Sequence, residues 1–160
     1  MHNYLASAKS LVDHTRGYIK KWHEKDDFGR KYQEKVKLSF AENPTSKMIH
    51  DLRNYLLHRG LPPSTIRETF NIETREPPKI RVLFNKKNLE EWKGWTSKSK
   101  EYMDKFEKNI ELKILVSEHQ RILTDFYSWF NLEMNLFHKE ELISIDNIKV
   151  KITAYESKYR

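Results

Sequence analysis

An arginine, an amide and an imidazole close together can hold a phosphate and move a proton, and Arg53, Asn54 and His58 bring those three groups into one short run. The planar guanidinium matches phosphate oxygens with a fork of donors, and an imidazole exchanges its proton near neutral pH. To act together they need a rigid support. Asn43-Pro44 supplies its start, with Asn as cap and Pro at the first helical position, where a missing N–H is harmless. Gly60 supplies its end, and Leu61-Pro62-Pro63 prevents continuation. On a wheel at about 100° per residue with Arg53 at zero, Met48, Ile49, Leu52, Tyr55 and Leu56 make one contiguous apolar arc. Arg53, His50, Asn54, His58 and Asp51 fill the other side, interrupted only by Leu57, so His50 and Asp51 join as auxiliary candidates.

The same residues have ordinary explanations. His58 and Arg59 lie in the last turn, where cations favour the negative end of a helix. Arg53 with Asp51 and Asn54 would equally make a solvated helix side. Spacing alone is weak, because about one such Arg–His pair is expected by chance in this composition, and Arg16 and His23 form a second. His50 and His58 are about 12 Å apart along a helix, too far to share an ion, so no metal site is expected. His2, His14, His23, His119 and His138 show no paired ligand spacing and are read as core or surface residues, with His14 beside the motif helix.

Composition narrows the classes further. The chain of 160 residues has no cysteine, which removes disulfides, thiolate metal sites and cysteine nucleophiles and fits a reducing, cytoplasmic setting. Four glycines cannot build a Gly-rich phosphate cradle, so a nucleotide or nicotinamide cofactor is not expected. No apolar run suggests a secretory signal or a membrane span. Lys and Arg outnumber Asp and Glu by 30 to 23, a net charge of +7, which attracts polyanions such as RNA or DNA, or an acidic partner. The excess gathers between Arg16 and Lys37 and again after Lys149.

The elements that would position the motif are mostly helical. Leu5, Ala8, Val12, Thr15, Ile19 and Trp22 predict one face of a helix over about Asn3 to Glu24. Asp26 or Asp27 caps a second, in which Phe28, Tyr32, Val36 and Phe40 recur every four residues. The period then changes: Ile66, Phe70 and Ile72, then Ile80, Val82 and Phe84, alternate with polar residues around the break Arg75-Glu76-Pro77-Pro78, which predicts a β-hairpin near residues 65–85. Asn88 with Glu91 resembles a capping box before Leu89 and Trp92. From about Ser97, Tyr102, Phe106 and Ile110, then Leu115 to Phe137, return to helical spacing as one long helix or two. The tail Ile148, Val150, Ile152 fits a strand or a helix end. Trp92 and Trp95 read as core anchors ahead of base-stacking platforms, and the aromatic run Phe126 to Phe137 as core or dimer seam. The fold class expected is mainly α, one domain over residues 1–160: motif-bearing helices (1–63), hairpin (64–86) and a long C-terminal helical extension (87–160).

The run Asp51-Leu52-Arg53-Asn54-Tyr55-Leu56-Leu57-His58-Arg59-Gly60-Leu61-Pro62 resembles the signature of the HEPN superfamily, helical proteins that include RNA-cleaving toxins and phage-defence ribonucleases. Its pattern is an arginine, a polar follower, then a histidine after four to six residues; Arg53, Asn54 and His58 match it. The resemblance implies a HEPN-like helical bundle and a homodimer whose motifs face one cleft. It also implies cleavage without metal or cofactor, by attack of the RNA 2′-hydroxyl on its neighbouring phosphate. His58 would be general base or acid, Arg53 would stabilise the phosphate oxygens, and Asn54 would orient either, with His50 and Asp51 as auxiliaries. Arg59, Lys20, Lys21, Arg30 and Lys31 would be RNA contacts, and an antitoxin or regulator would be a further partner. The alternative is a non-catalytic helical module that binds RNA, nucleotide or protein. The match covers about a dozen residues. It departs from one toxin branch, which carries a tyrosine where Gly60 stands, and the hairpin and C-terminal extension exceed a minimal HEPN domain.

Overall fold

The apolar spacing of the first residues forms α1 (His2–Trp22). In the computed structural model, which describes residues 2–70, 73 and 77–158, it is followed by α2 (Asp27–Val36), a π-helical turn (Lys37–Ala41) and α3 (Pro44–Arg59). Of the two candidate caps for α2, Asp26 takes the role, accepting from the Gly29 amide at 2.8 Å. Gly29 is required there, because a Cβ would run into the His23 carbonyl. α1 and α2 can therefore meet at a tight corner. Trp22, expected on the buried face, is exposed. The corner turns the chain so that His23 enters the interior instead, satisfied by Asp26 at 2.8 Å and the Tyr18 hydroxyl at 3.3 Å.

The hairpin forms as β1 (Ser64–Thr69) and β2 (Lys79–Asn85), antiparallel, with Ile66 opposite Val82 and Arg67 opposite Arg81. Ile72, Arg75 and Glu76 of the predicted hairpin lie outside the described residues. A third strand, β3 (Asn109–Glu111), pairs with β2 and places Ile110 opposite Phe84. This corrects the helical reading of Tyr102, Phe106 and Ile110. Helix α5 (Ser97–Met103) stops before Phe106, and the spacing of four arises because helix, turn and strand all aim an apolar side chain at one core. Short α4 (Lys86–Glu90) is capped by Asn85, which accepts from the Asn88 amide at 3.2 Å, so Asn88 is inside the helix and not its cap. The C-terminal part is two helices, α6 (Leu112–Phe137) and α7 (Lys139–Lys158), and the tail is helical. The chain is mainly α.

Two cores share the long helices. One joins Leu5 of α1, Met48, Leu52 and Tyr55 of α3, Phe84, Trp95, Tyr102 and Leu115. The other joins Ile19 of α1, Phe28 and Tyr32 of α2, and Phe126 of α6. Fully burying one such side chain contributes roughly 1.5–3 kcal/mol. Trp95 is a core anchor, stacked against Tyr55 with its indole N–H donating to the Leu89 carbonyl at 2.6 Å. α3 lies against α1, α5 and α6. Its orientation, and so the direction of its polar side, is fixed by the first core.

Candidate functional site

The helix that carries the motif is closed at both ends by its own sequence. The Asn43 side chain accepts from the Ser46 amide at 3.1 Å, and Gly60 ends the helix at φ 85°, a conformation other residues rarely adopt. Met48 and Leu52 are wholly buried, as the apolar arc requires.

The polar side divides into three groups. Asp51 has turned inward. Its carboxylate accepts from the Thr96 amide and hydroxyl, each at 2.8 Å, and from the Ser99 hydroxyl at 2.6 Å. It thereby caps α5 from a neighbouring helix. Burial alone would raise its pKa, but hydrogen bonds from His50, Ser99 and Thr96 outweigh that and hold it at about 2. Asp51 is a structural anion, committed to joining α3 to α5.

Arg53, His50 and Lys47 form the second group, along one ridge of α3. They face a ridge of α1 made by Lys9, Asp13 and Arg16 across a cleft of about 270 Å³. Val36 at the end of α2 and Phe40 of the π-helical turn close one side, and His119 of α6 contributes to the lining. Four cations, Lys9, Arg16, Lys47 and Arg53, stand against the single carboxylate of Asp13, so the cleft is positive. The hydrogen bond from Lys9, followed by the charges of Lys9, Arg16 and Arg53, holds Asp13 below the usual carboxylate range. Arg53 is half-buried and has no hydrogen bond or ion pair among the described residues. Burial pushes His119 down to about 4, so it is neutral at physiological pH and shares a 2.8 Å hydrogen bond with the Tyr4 hydroxyl.

His58 and Arg59 form the third group, exposed in the last turn of α3 and outside the cleft. An ideal helix separates His58 from Arg53 by about 7.5 Å along its axis and about 140° around it. Asn54 is half-buried between them. The structure thus brings Arg53 and His50 together and leaves His58 apart from them within one chain. Among the described residues, no hydrogen bond or ion pair occupies His58.

The basic positions outside α3 are spread out. Lys20 is exposed one turn beyond Arg16 on α1. Lys21 lies over the Trp22 ring at 4.7 Å, Arg30 pairs with Asp27, and Lys31 pairs with Glu133 at 2.8 Å. His14 is exposed and misses the cleft, although its neighbour Asp13 lines it. Lys9, Asp13, Lys47 and His119 were not candidates from sequence. The spacing Lys9–Asp13–Arg16 marks one ridge of α1, but nothing along the chain says that this ridge faces α3.

Among the described residues no three His, Asp or Glu side chains gather where an ion could be held, and no helix is long and apolar enough to cross a membrane. No protein-family model, no curated protein and no solved structure matches the chain.

Proposed function

We propose that the chain is a HEPN-type endoribonuclease that works as a homodimer, in a toxin or phage-defence role. The observation that carries this reading is the contrast along α3. Asp51 is consumed by internal hydrogen bonds, while Arg53 and His58 are held on the same capped helix with no internal partner among the described residues. A half-buried guanidinium with no hydrogen bond or ion pair among the described residues, in a cleft where four cations face the one carboxylate of Asp13, is suited to a phosphodiester.

In the proposed reaction Arg53 holds the non-bridging oxygens of the scissile phosphate and stabilises their growing charge. One His58 takes the proton of the 2′-hydroxyl as its oxygen attacks phosphorus. The bond from phosphorus to the 5′-oxygen breaks, and a second imidazole protonates the departing oxygen, leaving a 2′,3′-cyclic phosphate and a 5′-hydroxyl. Two imidazoles are needed on opposite sides of one phosphorus. The roughly 140° between Arg53 and His58 on one helix favours supply of His58 by a second copy. Asn54 orients the phosphate or the imidazole, His50 is an auxiliary in the cleft, and Arg59, Lys20, Lys21, Arg30 and Lys31 add salt-sensitive affinity for the RNA backbone.

The wide separation of Arg53 from His58 also favours a second reading, in which the cleft binds RNA, nucleotide or a protein partner without cutting. Incubation of a mixed RNA pool with the purified protein in chelator separates the two. Cleavage should persist in chelator and fall about 100-fold or more in Arg53→Ala and His58→Ala, with folding unchanged by circular dichroism. Salt-sensitive binding without cleavage, unaffected by His58→Ala, would establish the binding module instead.

A further inference from the structure

α7 is 20 residues long and none of its described residues is buried. A lone helix of this length is marginal in water and is ordinarily held by packing one apolar side. Here Ile145, Ile148 and Ile152 stand 47%, 56% and 53% exposed. Their spacing of three then four, which Tyr155 continues by three, is that of the a and d positions of a coiled coil.

We infer that α7 pairs with α7 of a second copy of this chain as a parallel two-stranded coiled coil, with Ile145, Ile148, Ile152 and Tyr155 in the seam. The inference stands on α7 alone and holds whether or not the chain cuts RNA. Charge decides the partner and the direction. With Ile145 and Ile152 at a, Lys151 occupies g and Glu156 the following e. Parallel helices bring each Lys151 beside Glu156 of the other copy, twice by symmetry. Neither residue has an ion pair within its own chain among the described residues. Antiparallel helices in the register that stacks Ile148 on Ile152 would instead oppose Lys151 to Lys151 and Lys149 to Lys149. A membrane surface is a poor match, because four basic residues of α7 balance four acidic ones and a membrane-lying helix carries a Lys- or Arg-rich polar face. Ile at both a and d also suits trimers and tetramers, so a mass rising beyond twice 19.4 kDa would overturn the two-stranded arrangement.

Sedimentation of the full chain over a concentration series tests this. The mass should approach twice 19.4 kDa as concentration rises. Ile148→Asp should leave a folded monomer, because no buried α7 residue is disturbed. Val150→Asp, on the opposite side of the helix, should still dimerise. Lys151→Glu should weaken association about tenfold through two lost pairs and new repulsion, and Lys151→Glu with Glu156→Lys should restore it. Because the chain has no cysteine, Ile145→Cys gives the direction. Parallel helices bring the two thiols together for oxidation, whereas antiparallel helices hold them about 15 Å apart. A monomer at every concentration would overturn the inference, as would equal loss from Val150→Asp, no restoration by the charge swap, or no cross-link. A monomer that still cleaves RNA would remove the α7 seam and leave the cleavage reading standing.

Discussion

α3 and α7 are helices of 16 and 20 residues, and they meet the rest of the chain in opposite ways. α3 has a side-chain cap, a glycine stop and seven buried residues, and even its Asp51 is tied into α5. α7 touches α6 at its start and buries none of its described residues. In α3 the apolar arc and the core coincide, so the direction of Arg53 is set within one chain. In α7 the stripe of Ile145, Ile148 and Ile152 stays about half exposed, and no described residue of the chain buries it. The position of the first helix is settled by folding, and that of the second is left for association.

The largest expected difference is in the apolar side chains. Leu52 is wholly buried in the first core, and Leu52→Ala should cost about 4 kcal/mol through lost transfer energy and a residual cavity. Ile148→Ala, measured by urea unfolding at a concentration low enough to keep the chain monomeric, should change stability by less than about 0.5 kcal/mol. Equal losses would mean that α7 packs on its own chain, and the comparison would break.

Polar groups should separate the helices almost as widely. Asp51→Ala strands the Thr96 amide and removes the shared acceptor of the Thr96 and Ser99 hydroxyls, which keep their mutual 3.1 Å contact, and should cost about 3 kcal/mol in urea. Among the described residues Asp146 pairs with Lys149 alone, at 3.1 Å on an exposed face of α7, and Asp146→Ala should be near neutral.

Acid should act on the body of the fold and spare α7. His119 has its pKa lowered by burial from 6.5 to about 4, so the unfolded chain binds a proton that the folded chain refuses. Stability therefore falls as pH drops from about 6.5 towards 4, by about 2–3 kcal/mol. Asp51, lowered from 3.8 to about 2, contributes stability that is present above about 4 and lost as pH falls towards 2. His119→Gln should flatten the upper limb and leave the lower one, read from urea midpoints across pH. An unchanged upper limb would mean that another group titrates there.

α3 was legible in the sequence because every signal for it is local: Asn43-Pro44 at the start, Gly60 at the end and an apolar arc between them. The hairpin was legible for the same reason, through alternation on either side of Pro77-Pro78. What escaped was pairwise in space. β3 is three residues long, and only the strand beside it makes Ile110 extended. Asp51 sat at the edge of the polar arc, and its burial depends on α5 arriving with Thr96 and Ser99. The cleft beside Arg53 depends on α1 turning Lys9, Asp13 and Arg16 towards α3. A wheel describes one helix at a time, and each of these features needs two.

The smallest expected effect lies at the helix starts. Asn43 satisfies the Ser46 amide, one of the orphan donors of α3, so Asn43→Ala should cost about 1 kcal/mol and Asn43→Gly only a few tenths. Because α3 is buttressed by the core, that loss should appear as a global shift in the urea midpoint and not as fraying of one end. α7 begins with Glu140 and Glu141 facing the positive end of its dipole. Glu140→Gln with Glu141→Gln should cost a few tenths of a kcal/mol, and with no buried residue to couple it to the core, the loss should appear as faster amide exchange within α7. A matching shift of the global midpoint would show that α7 unfolds together with the body, and would narrow the contrast between the two helices to their surfaces.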